Sequence, residues 1–192
     1  MKKALFIDCC LRNESRTRQL ADSFFANLNG YEVEHLKLEK ENLKPLIGDF
    51  FFERQELLEK AELDHPRFKY AYQIKDADLV VIAAPFWDLS FPALLKIYIE
   101  NISVDGITFI STEDGLKGLC KADNLIYLTT RGGFYNNNDM EQATPYLKSL
   151  TPFFGFKKFT YIAADGMDVQ GFDSNKSLND AKQKAADLAK TL

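Results

Sequence analysis

Short apolar runs along this chain alternate with longer stretches in which apolar residues recur every three or four positions. Lys3 to Asp8 is a short apolar run ending in a polar turn, and from Ser15 onward Leu20, Ala21, Phe24, Phe25 and Leu28 mark one face of a helix that Asn29-Gly30 stops. Tyr31 to Leu38 alternates apolar and polar residues, as a strand near a sheet edge does, whereas Asp78 to Pro85 is almost continuously apolar, the mark of a parallel strand covered on both faces. Ser90 to Ile102 is predicted as a helix opened by Ser90 as cap and Pro92 in its first turn. Residues 106–121 predict strands around a glycine turn. Beyond them come a buried strand at Asn124–Thr130, a helix at Glu141–Leu150, a strand at Phe159–Ala164 and an amphipathic helix at Leu178–Leu192.

Residues 39–65 are the least regular part. Pro45 and Gly48 break the pattern, and Asp49-Phe-Phe-Phe-Glu53 leads into a charged helix, RQELLEKAEL, with a further helix from Pro66 to Asp76. Phe50, Phe51 and Phe52 read either as helix-packing core or as a segment that meets a second chain or covers a ligand.

Five strands alternating with helices, with no shift in composition to divide them, predict one α/β domain over residues 1–192, a doubly wound parallel sheet with helices on both faces. The length of 192 residues suits one core. Hydrophobic residues at 46% and charged residues at 27% exclude a disordered or fibrous chain. A net charge of −4 without a basic run argues against a general nucleic-acid or anionic-membrane surface. The opening MKKALFIDCC imitates a signal peptide, but its apolar stretch ends at Ile7, and no apolar run is long enough for a membrane span; a cytoplasmic protein is expected. Cys9, Cys10 and Cys120 form no disulfide framework, and with only His35 and His65 neither a zinc site nor a histidine-based triad is expected.

In such sheets ligands sit beyond the carboxyl ends of the strands, which directs attention to segments 9–18, 85–91 and 129–135. The first contains Arg12, Ser15, Arg16, Thr17 and Arg18 at a predicted helix start, where backbone N–H groups, hydroxyls and guanidinium forks make a phosphate cradle. It has neither GxGxxG nor GK(S/T). It also carries Cys10, five residues, then Arg16-Thr17, the spacing of protein tyrosine phosphatases. In that alternative Cys10 is a thiolate nucleophile with a lowered pKa and Arg16 binds the phosphoryl oxygens. The second segment, Pro85-Phe86-Trp87-Asp88-Leu89, puts two aromatic rings where a helix normally starts at once, and a planar ring system gains stacking area from them, with main-chain N–H groups of 87–89 at its edge. The third, Thr130-Arg131-Gly132-Gly133, offers bare backbone for close approach, with Phe134 and Tyr135 beside it.

Taken in order, CLRNESRTRQL, PFWDLSFPALLKIYIENI and GITF…YLTTRGGFY resemble the FMN-dependent NAD(P)H azoreductases and quinone reductases of the flavodoxin-like superfamily, from the first strand to about residue 166. The resemblance implies a flavodoxin-like five-stranded sheet of order 2-1-3-4-5, FMN as cofactor and NADH or NADPH as donor, with Arg12, Ser15, Arg16 and Thr17 on the ribityl phosphate. It places Pro85, Phe86, Trp87, Asp88 and Leu89 at the isoalloxazine ring and Thr130, Arg131, Gly132 and Gly133 at its pyrimidine edge. It further implies no catalytic side chain, since flavin N5 carries the chemistry, with Tyr135 a contact for the acceptor. A quinone or azo compound reduced by a ping-pong mechanism, and a homodimer with the flavin near its interface, complete the expectation. Trp87-Asp88 stands where the family often has Tyr-Asn, which would bring an acid near the ring, and cysteines stand where serine is common. A flavodoxin-type electron carrier without nicotinamide activity is the other alternative.

Overall fold

The computed structural model describes residues 1–135 and 139–192. Its main sheet is formed by β1 (Lys2–Asp8), β2 (Tyr31–Lys37), β3 (Leu79–Ala83), β6 (Asn124–Thr130) and β7 (Lys158–Ala164). All neighbours are parallel and the order is β2-β1-β3-β6-β7, which is the expected 2-1-3-4-5 once the separate antiparallel hairpin β4 (Phe109–Thr112) and β5 (Gly115–Gly118) is set aside. β2 is an edge strand, as its alternation predicts.

The period of two along each strand separates two cores. Leu5, Ile7, Val80, Ile82, Leu125 and Tyr127 face α3 (Lys69–Asp76), α4 (Ala93–Ile102) and α5 (Ala143–Phe154), packing with Ile74, Leu95, Tyr98, Ile99 and Leu147. Ala4, Phe6, Leu79, Val81, Ile126 and Leu128 face α1 (Arg16–Phe25) and α6 (Ser174–Ala189), packing with Leu20, Phe24, Leu178, Ala181 and Ala185. β3, buried at all five positions, lies between the two cores, which is why its sequence is a continuous apolar run.

Four boundaries differ from the sequence expectation, each for a local reason. Ser90 does not cap α4; its N–H and C=O are both bonded to Trp87 (2.8 Å each) in a tight turn, and the helix begins at Ala93 after Pro92. α5 starts after Glu141, whose side-chain Oε1 accepts the Ala143 and Thr144 N–H groups at 3.1 and 2.9 Å, and runs through Pro152 to Phe154. Its end is set by Gly155, at φ +90°, a conformation that costs a side-chain-bearing residue about 1 kcal/mol or more. α6 begins at Ser174, four residues early, because Asp173 accepts the Lys176 N–H at 2.9 Å.

The Phe50–Phe52 run is helical but is not core. α2 (Gly48–Glu59) buries only Leu57, in a small cluster with Phe68, Ala71, Val104 and Ile107. Phe50 and Phe51 are half-buried and Phe52 is exposed. Arg67 lies on the Phe50 ring, 3.6 Å from its centroid, which covers one of the three.

Candidate functional site

The carboxyl ends of β1, β3, β6 and β7 finish side by side, and strand pairing continues briefly into their loops. Cys9 N–H donates to Ala83 C=O (2.8 Å), Phe86 N–H to Thr130 C=O (3.2 Å) and Arg131 N–H to Ala164 C=O (2.9 Å). The chain turns outward on both sides of the β1–β3 boundary, and that divergence opens a pocket of about 310 Å³.

Ser15 makes the first wall, accepting the Arg18 N–H on its side chain as N-cap of α1. The Arg16 and Thr17 N–H groups at the helix start have no partner among the described residues, and no acidic residue lies in the first turn. That is the arrangement in which a helix end attracts an anion. Thr17 shares a 2.6 Å hydrogen bond with Thr130 that joins this wall to the third loop.

Beneath this wall Asp8 is almost fully buried. Its Oδ1 accepts the Cys10 N–H at 2.9 Å; its Oδ2 is paired with the Arg18 guanidinium and accepts from His35 Nε2 at 2.7 Å. Arg18, part of the expected cradle, is therefore spent on Asp8, which leaves Arg12 and Arg16 as the cations of this wall.

The second wall is Pro85, Phe86 and Trp87. Residues 87–90 form a turn in which Asp88 and Leu89 both have positive φ, +48° and +68°, a conformation costly for side-chain-bearing residues. The Trp87 N–H, expected as a donor to a ligand, is occupied by Ser90; the Asp88 and Leu89 N–H groups have no partner among the described residues.

Bare backbone forms the third wall. A Cβ on Gly132 would come within 2.8 Å of the Asp168 carboxylate, so a side chain here would displace Asp168. The Gly132 and Gly133 N–H groups have no partner among the described residues. Arg131 lines the pocket, as expected, but as a buried side chain. Expected at the ligand, its side chain is 2% exposed, donates to Thr144 Oγ1 (3.0 Å) and lies 3.8 and 3.7 Å from Glu141 and Asp165, against the rings of Phe86 and Tyr161. It is a buried brace behind the aromatic wall. Burial raises the Asp165 carboxyl, and Arg131 opposes that rise.

A fourth wall, Met167 and Asp168, is missing from the sequence reading. The segment after β7 is zipped to the glycines: Gly166, Met167 and Asp168 N–H donate to the carbonyls of Gly133, Arg131 and Gly132, each at 3.0 Å. Arg16 reaches across to it, donating to Met167 C=O (2.9 Å) and Asp168 Oδ1 (3.0 Å). The rule that pointed to three post-strand loops applies equally to the segment after β7.

Of the residues expected at the ligand, Arg12, Ser15, Arg16, Thr17, Pro85, Phe86, Trp87, Thr130, Arg131 and Gly132 line the pocket, joined by Leu11, Glu14, Met167 and Asp168. Asp88, Leu89 and Gly133 adjoin it without lining it. Tyr135 packs on Phe86 (centroids 4.6 Å apart) beside Gly133.

Cys10 is not a nucleophile. It is 2% exposed, its thiol donates to Ala83 C=O (3.7 Å), and burial, with Asp8 adding to it, pushes its pKa up to about 12 where a thiolate nucleophile needs it lowered. The buried, raised thiol does not favour the phosphatase alternative.

A parallel sheet of this order, with a helix-start anion cradle facing an aromatic wall and a glycine wall, defines a flavodoxin-like protein. The sequence matches the family described as flavodoxin-like fold over residues 2–189. It is 39% identical to an FMN-dependent NADH:quinone oxidoreductase of Clostridium perfringens and 37% identical to one of Clostridium beijerinckii, with 99% of each chain covered in both. Its backbone superposes on an azoreductase of Bacillus anthracis with a TM-score of 0.88 at 26% identity, all of both chains being covered. The chain thus belongs to the FMN-dependent quinone reductase and azoreductase family of flavodoxin-like proteins.

Burial also pushes Cys9 and Cys120 up to about 12. The native protein should therefore leave Ellman's reagent unreacted at pH 8, with all three thiols reacting once it is unfolded. Because each folded pKa is raised, the stability these thiols contribute is whole below the unfolded thiol range and falls as pH climbs from there toward 12. A thiol that titrates rapidly in the native state would contradict the burial.

Proposed function

We propose that this chain is a cytoplasmic FMN-dependent NAD(P)H:quinone oxidoreductase, working as one domain over residues 1–192 and as a homodimer. The observation that carries the reading is the opposition, across one pocket, of unpartnered helix-start N–H groups with Arg16 on one side and bare Gly132 backbone on the other.

The pocket's chemistry fits FMN. Arg12, Arg16, the Ser15 and Thr17 positions and the open N–H groups of α1 hold the phosphate. Phe86 and Trp87 give the ring a flat apolar surface, the Asp88 and Leu89 N–H groups meet its polar edge, and Thr130 with Gly132 and Gly133 receives the pyrimidine side. Bound there, FMN would supply hydride and electron transfer between NADH or NADPH and the acceptor. The protein's part is positional. Oriented N–H donors of the glycine wall favour negative charge on the ring edge, and the Arg131 brace keeps that wall against Phe86. Trp87, 36% exposed at the mouth, narrows the open face to thin planar molecules, which favours quinones over bulky azo dyes. Donor and acceptor share that face and exclude one another, which gives ping-pong kinetics.

The homodimer rests on the apolar surface of α4 and α5. Leu94 and Ile97 are only half-buried, and beside them lies a depression of about 480 Å³ whose lining combines Leu46, Leu150 and Phe153 with the charged Arg54, Lys96 and Glu100. Exposed Phe52 continues the apolar character along α2. Sedimentation should give twice the chain mass at micromolar concentration. A monomer with full FMN occupancy would remove the dimer from the account.

The activity itself is tested by anaerobic stopped-flow mixing of the FMN-loaded protein with NADH or NADPH. The flavin should bleach within seconds without any protein partner, and double-reciprocal plots with a quinone should be parallel. If neither nucleotide bleaches it within minutes while a reduced protein partner does, the chain is an electron carrier.

A further inference from the structure

Arginines are numerous at the carboxyl ends of the strands, yet few are free. Arg18 is bound to buried Asp8, and Arg131 lies between Glu141 and Asp165. Lys37, at the end of β2, is held by Glu39 at 2.5 Å, and no lysine lines the pocket among the described residues. Apart from Arg131, which is held by Glu141 and Asp165, the pocket's cations are Arg12 and Arg16, and its carboxylates are Glu14 and Asp168, with exposed Asp88 on the adjoining turn. A phosphate monoester carries about −1.5 to −2 charges at neutral pH, which offsets both arginines. Asp168 is paired with Arg16 at 3.0 Å, but once the phosphate has offset both arginines, Glu14 and Asp168 leave a net negative charge around the open face.

Asp168 is the one whose place is fixed. Its N–H is bonded to Gly132 C=O at 3.0 Å, its Oδ1 accepts from Arg16 at 3.0 Å, and its Oδ2 lies over Gly132, within 2.8 Å of where a Cβ would stand. Its side chain is 76% exposed, so it faces whatever enters from solvent.

We infer that Asp168 is a specificity-determining residue that makes the mouth charge-selective, admitting neutral and cationic acceptors and discriminating against anionic ones. The inference rests on the FMN oxidoreductase reading and names the acceptor class for that site. The carboxylate acts through space on an incoming charge, so the discrimination is screened by salt, over about 8 Å at physiological ionic strength and about 3 Å at 1 M. A single partly exposed charge at several ångströms changes the approach of a monovalent ion by about three- to tenfold.

The experiment compares a neutral naphthoquinone with its ring sulfonate, on wild type and on Asp168→Asn, each loaded with FMN and checked for flavin content. Two readouts are taken: the ratio of kcat/KM for sulfonate over neutral quinone, and the ratio of their dissociation constants from the oxidised protein, followed by quenching of Trp87, the chain's single tryptophan. Both use ratios, so a loss of activity or FMN common to the two acceptors cancels. The substitution should shift both ratios about three- to tenfold toward the sulfonate, and about 1 M salt should shift wild type the same way. Asp88→Asn, on a more exposed turn, should shift them less. If wild type reduces the neutral quinone but both ratios are the same in Asp168→Asn, the inference is wrong and the functional reading stands. If wild type neither holds FMN nor reduces the neutral quinone, the functional reading itself fails.

Discussion

Asp8 is a carboxylate with almost no exposure at the end of a central strand, and it binds Arg18, His35 and the Cys10 N–H together. An ion buried this way adds little net stability against an apolar replacement, but removing one partner strands the other, which costs about 3–5 kcal/mol. It therefore acts as a constraint on geometry. By holding Arg18 of α1 and the second residue of the first loop to β1, it fixes where the helix starts and which way its N–H groups point. The open helix-start wall of the pocket is a consequence of that placement.

The same device recurs across the pocket. Arg131, buried among Glu141, Asp165 and Thr144, holds the start of α5 and the end of β7 to the glycine loop, while its guanidinium backs the Phe86 ring. Two buried charge clusters, one per side of the β1–β3 boundary, thus hold the walls, and the Thr17–Thr130 and Arg16–Asp168 contacts close the ring between them. Walls tied in this way present donors without further ordering, which lowers the entropy cost of binding.

The fold was legible because its strands are short continuous apolar runs and its helices carry apolar residues at three-and-four spacing. These patterns report burial directly. The boundaries were less so, since they depend on contacts made in space: Ser90 looks like a cap, but its backbone closes a turn with Trp87, and Asp173 becomes the cap of α6 only through its bond to Lys176. At the site, residue type revealed which loops matter but not which side chains turn inward. Arg16 and Arg18 are equivalent in sequence, yet one lines the pocket and the other neutralises Asp8. Arg131 beside two glycines reads as a ligand, and its partners at 141, 144 and 165 are too distant along the chain to betray its burial. Cys10 and Arg16 have a phosphatase spacing, but spacing carries no information about a thiol facing the core.

The central claim is that the helix-start wall holds the phosphate of a flavin whose ring meets the aromatic and glycine walls. Titration of flavin-free protein with FMN and with riboflavin, which has the same ring and no phosphate, tests it most directly. Charge-assisted bonds from Arg12, Arg16 and the open N–H groups predict FMN bound on the order of 100-fold more tightly, with the difference shrinking as salt rises. Equal affinities for the two flavins would contradict the account.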